Sequence, residues 1–120
     1  MLPEIGDIAW VDFDPVKGTE QQGRRPGLIL TPLSYHRRSP RAVVCPITSK
    51  ERPWAFNVSL PQGLKTRGTV LVDQVRTIER AERIFAIIER APAELLAEVR
   101  GRLAALLEFD VVAVLGDPGQ

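Results

Sequence analysis

Over the first two-thirds of the chain, apolar positions come in short runs. Several alternate with polar residues, and most are bounded by glycine or proline. This pattern predicts strands over 7–13, 27–32, 41–48, 55–60, 68–76 and 83–89, because alternation lines one face of a pleated strand and Gly and Pro supply the turns. The punctuation is Asp14-Pro15, Gly18, Gly23, Pro26, Ser39-Pro40, Pro53, Pro61-Gln62-Gly63 and Gly68. Strands of this length and spacing predict a small barrel or sandwich. Pro32-Leu33-Ser34-Tyr35 predicts a brief helical turn between two of them.

From Pro92 the period changes. Leu95, Leu96, Val99, Leu103, Leu106 and Leu107 fall on one helical face. Pro92 suits the first turn, and Glu94 complements the positive end of the helix. Gly101 weakens the helix modestly. Beyond it, Val111-Val112-Ala113-Val114-Leu115 is apolar enough to predict an added strand or an association surface, before a frayed end at 116–120. Neither a repeat nor a linker is visible. The pattern predicts one domain over 1–120, mainly β with a C-terminal α-helix, with 110–120 as an extra tail.

Composition narrows the possibilities. A length of 120 residues with 44% apolar and 26% charged residues fits one ordinary globular core. The net charge of +1 gives no global case for a polyanion partner, so any anion site must come from local clustering. Such clusters exist at Arg24-Arg25, at His36-Arg37-Arg38 with Arg41, and at Lys50-Glu51-Arg52. Cys45 is the single cysteine, which excludes an intramolecular disulfide. Neither a bilayer-spanning run nor a signal peptide is apparent, so the expectation is a cytoplasmic protein without membrane contact.

Candidate chemistry follows by weighing residue types. One His and one Cys supply too few ligands for a zinc site, and Asp12, Asp14 and Asp73 lack a recognisable magnesium spacing. The expectation is a protein with no metal and no cofactor. His36, in an apparent loop among arginines, reads as a solvated surface group. Cys45, inside an apolar run, reads as a small buried side chain. What remains is the polar stretch Gly18-Thr19-Glu20-Gln21-Gln22-Gly23-Arg24-Arg25-Pro26 between two strands, and the strand end Thr48-Ser49-Lys50. Arginine forks, hydroxyls and a lysine suit phosphate oxygens. Ordinary turn chemistry explains the second segment equally well.

Trp54 follows Pro53 in an expected loop and suits stacking on an unpaired base. Phe56 alternates with Val58 and Leu60, so core packing competes with a ligand role. Asp73-Gln74 interrupts an apolar run. Either Asp73 pairs with an arginine for structural reasons or it helps to shape the site; the structural role is the favoured expectation, with Gln74 projecting the other way, towards the ligand.

Taken together and in order, these segments resemble the MazF/PemK/Kid family of toxin endoribonucleases. The matching residues are Gly6-Asp7-Ile8, Trp10-Val11-Asp12-Phe13-Asp14-Pro15, Gly18, Glu20-Gln21, Gly23, Arg25-Pro26, Pro32 and Tyr35. Cys45-Pro46-Ile47-Thr48-Ser49, Gly68 and Asp73-Gln74-Val75-Arg76 complete the set. The likeness runs over residues 5–109 and is specific in its N-terminal half.

The resemblance implies an SH3-like small β-barrel of the Kid/CcdB toxin type. It implies a homodimer that cleaves single-stranded RNA without metal and is neutralised by a cognate antitoxin, with operator DNA met only through the antitoxin complex. It assigns catalysis to Arg25, Thr48 and Glu20. RNA contacts fall on Ser49, Trp54, Phe56, Thr69 and Gln74, with Arg24 and Lys50 as adjoining cations. Thr19 stands where some members carry His, and Leu71 where some carry Arg, so the mechanism built on those groups is not expected here. A CcdB-like toxin that binds a topoisomerase, or a non-catalytic RNA-binding module, would share the same fold.

Overall fold

The computed structural model describes residues 2–13, 24–50 and 52–109. In chain order these form β1 (Asp7–Asp12), β2 (Arg24–Ile29), α1 (Leu33–His36), β3 (Arg41–Thr48), β4 (Asn57–Ser59) and β5 (Thr69–Leu71). A 3-10 turn (Val72–Gln74), β6 (Arg76–Glu79), α2 (Arg80–Arg83), β7 (Ile84–Arg90) and α3 (Ala93–Leu106) follow. Every strand pairing is antiparallel, in the order β4-β5-β3-β2-β1-β7, with β6 also on β3. The path ends at β4 and β7 without closing on itself, so the barrel expectation holds only approximately.

β3 organises the sheet. Its first half pairs with β6, its middle with β2, and its last two residues, Ile47 and Thr48, with β5. The sheet therefore buries both faces. Ile8, Leu28, Cys45 and Ile47 pack with Val70 and Val72 against Leu95 and Val99 of α3, while Ala9, Val11, Ile29, Val44 and Ile78 form a second cluster. Neighbours such as Ile8 and Ala9, or Leu28 and Ile29, go to opposite cores, as the two-residue period of a strand requires. Gly27 makes this possible on one face: a Cβ there would sit 2.8 Å from Phe13 Cζ.

The structure departs from the pattern in three places. The run 68–76 is not one strand. The chain leaves the ladder after Leu71, makes the 3-10 turn at Asp73-Gln74, and re-enters the sheet at Arg76. Val72 keeps its side chain in the core and donates its N–H to Phe56 O, so the turn hangs from the core by its first residue. β2 starts earlier than expected and runs through Pro26. Pairing with β3 begins only at Gly27, so proline sits where one side of β2 is open. Finally, Pro92 caps α3 from outside instead of entering its first turn.

His36 is a correction. It is 2% exposed, not solvated. Its Nδ1 lies 2.7 Å from Pro3 O and its Nε2 lies 2.8 Å from Thr31 Oγ1. A carbonyl only accepts, so Nδ1 must carry a proton. The ring ties the N-terminal segment to the segment before α1, a structural role that the flanking arginines disguise. Cys45 is buried as expected. Desolvation, and secondarily the charge of Asp73, push its thiol up to about 12, which leaves it inert as a nucleophile. Among the described residues no helix is long and apolar enough to cross a membrane. The segment 111–115 lies outside the described residues.

Candidate active site

The register of β2 on β3 pairs Gly27 with Pro46, Leu28 with Cys45 and Ile29 with Val44. Continued two residues further, it sets Arg25 opposite Thr48, but the ladder has ended there. The strands part, and a cleft of about 490 Å³ opens between their ends. Arg24, Arg25 and Pro26 line one side, Ile47, Thr48, Ser49 and Lys50 the next, and Lys65, Thr66 and Arg67 the far wall, with Trp10 and Ile88 also in contact. The cleft thus gathers five cations from three segments, and no carboxylate lines it among the described residues. A chain of nearly zero net charge has built a strongly positive hollow.

Thr48 is held more tightly than a strand end usually is. It pairs with Thr69 on β5. Gly68, at φ +126°, lies so close that a Cβ there would stand 2.0 Å from Thr48 O. Only glycine permits that approach. The Lys50 N–H donates to Thr48 Oγ1 at 3.2 Å, which leaves the hydroxyl its own proton to donate to a ligand. Arg25 is half-buried, and its neighbour Arg24 is exposed with its guanidinium 4.1 Å from the Phe85 ring centroid. Arg24 therefore stands at the rim, anchored by a cation–π contact.

Thr48 and Lys50 also line a second groove, of about 450 Å³, with Arg52, Pro53, Trp54, Asn57, Leu71, Asp73 and Gln74. Trp54 is 56% exposed and donates its Nε1–H to Asp73 Oδ2 at 2.9 Å. Its ring meets Phe56 edge-on at 5.7 Å. Phe56 is partly buried against the core, so it braces Trp54 more than it faces solvent. Asp73 does not meet the expectation of an arginine partner. It is exposed in the 3-10 turn, where a strand had been expected, and it accepts from the indole and lines the groove. Gln74 opens on the same groove as Asp73, not on the opposite side. Thr69 is only 2% exposed, pairs with Thr48 and Ser59, and lines a neighbouring hollow with Arg52, Trp54 and Asn57. Glu20 lies outside the described residues.

Sequence reasoning missed Lys65, Arg67 and Trp10 as cleft residues. Trp10 lies inside the apolar run Ile8-Ala9-Trp10-Val11, and only the structure shows it 45% exposed between buried Ala9 and Val11. Lys65 and Arg67 carried no signal, because their place depends on how residues 61–68 fold back. Among the described residues no three His, Cys, Asp or Glu side chains come together as metal ligands.

The fold and cleft define a class: a small antiparallel sheet braced by a C-terminal helix, with an anion-attracting hollow where two central strands part. The chain belongs to the PemK-like, MazF-like toxins of type II toxin–antitoxin systems, whose family model matches residues 4–107. It is 44% identical over 108 residues to Endoribonuclease PemK of Escherichia coli, covering 87% of this chain and 81% of that protein. The crystal structure of MazF from Deinococcus radiodurans superposes with a TM-score of 0.82 at 39% identity, covering 91% of this chain and 99% of that one. A MazE–MazF structure from the same organism matches with a TM-score of 0.80 at 35% identity, covering 92% and 99%.

Proposed function

We propose that the chain is an endoribonuclease toxin that cleaves single-stranded RNA without metal in the cytoplasm, acts as a homodimer and is neutralised by a cognate MazE-type antitoxin. The observation that carries this reading is the convergence of Arg25 and Thr48 in a cleft lined by five cations and no described carboxylate.

The reaction uses the substrate's own nucleophile. The 2′-oxygen forms a bond to phosphorus, the P–O5′ bond breaks, and the products are a 2′,3′-cyclic phosphate and a 5′-hydroxyl. The 2′-hydroxyl gives up one proton, and the departing 5′-oxygen takes one. Charge accumulates on the phosphoryl oxygens in between. Arg25 answers that charge with a planar fork of donors, and its half-buried position limits competition from water. Thr48 donates a single hydrogen bond from a hydroxyl whose lone pair is already engaged by Lys50 N–H. Arginine is a poor proton acceptor, so the base must be another group, and Glu20 is assigned that part. Trp54 offers a face on which a base next to the scissile bond stacks, and Gln74 lies beside it. Arg24, Ser49, Lys50 and Arg52 extend the positive surface to the phosphodiester chain and to an acidic antitoxin segment.

The test is cleavage of a long single-stranded RNA in chelator, with purified wild type and Arg25→Ala. Wild type is expected to cut, leaving 5′-hydroxyl ends, and Arg25→Ala to lose cutting while keeping its circular dichroism and melting curve. Full activity in a folded Arg25→Ala protein would remove Arg25 from the mechanism. Absence of cutting in wild type would return the fold to a topoisomerase-binding or purely RNA-binding role.

A further inference from the structure

The far wall of the cleft has no strand of its own. Residues 61–68 run between β4 and β5 as turns and bends, yet they carry Lys65, Thr66 and Arg67 up to the cleft. Leu64 packs on the core and Gly68 O accepts from Leu60 N–H, and two further contacts hold the segment. At one end Gly68 locks onto Thr48 O, as described above. At the other, Glu89 on β7 receives three hydrogen bonds. Lys65 N–H donates to Oε1 at 3.0 Å, while Thr66 N–H and Thr66 Oγ1–H donate to Oε2, each at 2.7 Å. Thr66 is 6% exposed, so its side chain is driven inward by this contact. With Thr66 turned in, its neighbours Lys65 and Arg67 are both exposed. Arg67 also borders a further hollow of about 630 Å³ with Ser49, Leu60 and Gln62.

Glu89 itself does not line the cleft. It works from behind the wall. One carboxylate spread over two adjacent backbone amides and a hydroxyl fixes a turn as effectively as a ladder does, because charge-assisted bonds are short and strong. Without it, a turn-rich segment with few strand bonds would spread the two cations over many positions.

We propose that Glu89 is a positioning residue that sets residues 61–68 as the second wall of the cleft, so that Lys65 and Arg67 bind an RNA phosphate adjoining the one that faces Arg25 and Thr48. This rests on the nuclease reading for the identity of the ligand, though not for the existence of the wall. Lys65 and Arg67 add affinity for the chain of the substrate and not for the transition state, so their loss acts on KM and leaves kcat in place.

The experiment measures two things. The first is kcat and KM on a mixed-sequence single-stranded RNA, for wild type, Lys65→Gln/Arg67→Gln, Glu89→Ala and Glu89→Gln. The second is binding of the same labelled RNA as a function of NaCl, with each change placed in an Arg25→Ala background so that the probe stays whole. The double variant is expected to raise KM about tenfold with kcat unchanged. Its log–log salt slope should be shallower by about 0.7, the value for one neutralised phosphate on a single strand. Glu89→Ala should reproduce both effects although it removes a negative charge, and Glu89→Gln, which keeps an acceptor, should recover part of the loss. Removing a carboxylate from a cationic surface would by itself tighten RNA binding. Tighter binding in Glu89→Ala, or an unchanged salt slope in the double variant that still cuts RNA, overturns the proposal and leaves the nuclease reading standing. If wild type does not cut but the slope falls in the double variant, the phosphate site stands and the nuclease reading fails.

Discussion

Arg25 and Thr48 stand on the ends of strands at the centre of the sheet, whereas Trp54, Lys65 and Arg67 stand on segments joined to the sheet by side-chain bonds. On the first side, β1, β2 and β3 share continuous ladders, and both faces are buried. On the second, strands of three residues alternate with turns, and position is set by particular pairs: Trp54 to Asp73, Asn57 Nδ2 to Arg52 O, Arg102 to Ala55 O, and Glu89 to Thr66. Ladders fix the groups at their ends with little tolerance, which suits the part proposed above for Arg25 and Thr48. Side-chain tethers hold groups that meet the rest of the strand, and each can be changed without disturbing the core. The same fold can therefore keep one chemistry while its outer contacts vary.

That contrast can be broken at its joint. Gly68 belongs to both sides, since it immediately precedes β5 and presses on Thr48 O. Gly68→Ala adds a Cβ where there is no room and at a φ that L residues avoid. The expected cost is about 2–6 kcal/mol of stability from strain and overpacking together, read as a lower urea midpoint. An unchanged midpoint would mean the approach is looser than the structure has it. Thr48→Val tests the ladder side alone. It keeps shape and removes one preorganised donor, so kcat should fall roughly 10²–10³-fold with stability nearly intact. A loss confined to KM would make the hydroxyl a binding group only.

The tethered side should give smaller effects. Trp54→Ala is expected to weaken RNA binding by about 1–3 kcal/mol, the worth of one stacked base, in a titration with Arg25→Ala protein. Asp73→Leu should weaken it less, because the indole remains but is no longer held. Equal losses would show that the tether matters as much as the ring.

The smallest effect is a titration. Partial burial pushes the Glu89 carboxyl up, but hydrogen bonds from Lys65 N–H and from Thr66, with the Lys65 charge, outweigh that and hold it below the ordinary glutamate value. A lowered carboxyl contributes stability that is fully present above its unfolded pKa and is lost as pH falls through the native one. The far wall should therefore keep its anchor at neutral pH and loosen only under acid. The amide resonances of Lys65 and Thr66 should shift together at a pH below the usual glutamate range, and the shift should vanish in Glu89→Gln. A midpoint at or above the usual value would mean that the bonds to Glu89 are not formed.

Much of the architecture was legible because it is written locally. The strand at 41–48 follows from a short apolar run bounded by turn residues, and the helix after Pro92 from a period of 3.6, both of which the chain carries without help from tertiary context. The one-cysteine composition and the apolar run around Cys45 likewise announced a buried thiol. Reading failed where a residue's local company misrepresents its surroundings. His36 sits among arginines in sequence, yet its ring turns inward to Pro3 O. Asp73 sits in an apolar run, yet it lies in a turn because Val72 alone is taken by the core.

The sequence alone supplied the candidate side chains: an arginine beside a proline in β2, a threonine at the end of β3, a tryptophan beyond it. Those choices rest on residue type and on strand order, both local properties. Only the tertiary structure decided that Arg25 and Thr48 line one cleft, since that depends on the register of β2 on β3 and on where their ladder stops. It alone decided that residues 61–68, through Gly68 and Glu89, close the cleft opposite them. Register and loop closure are set by contacts between residues far apart in sequence, and no local period records them.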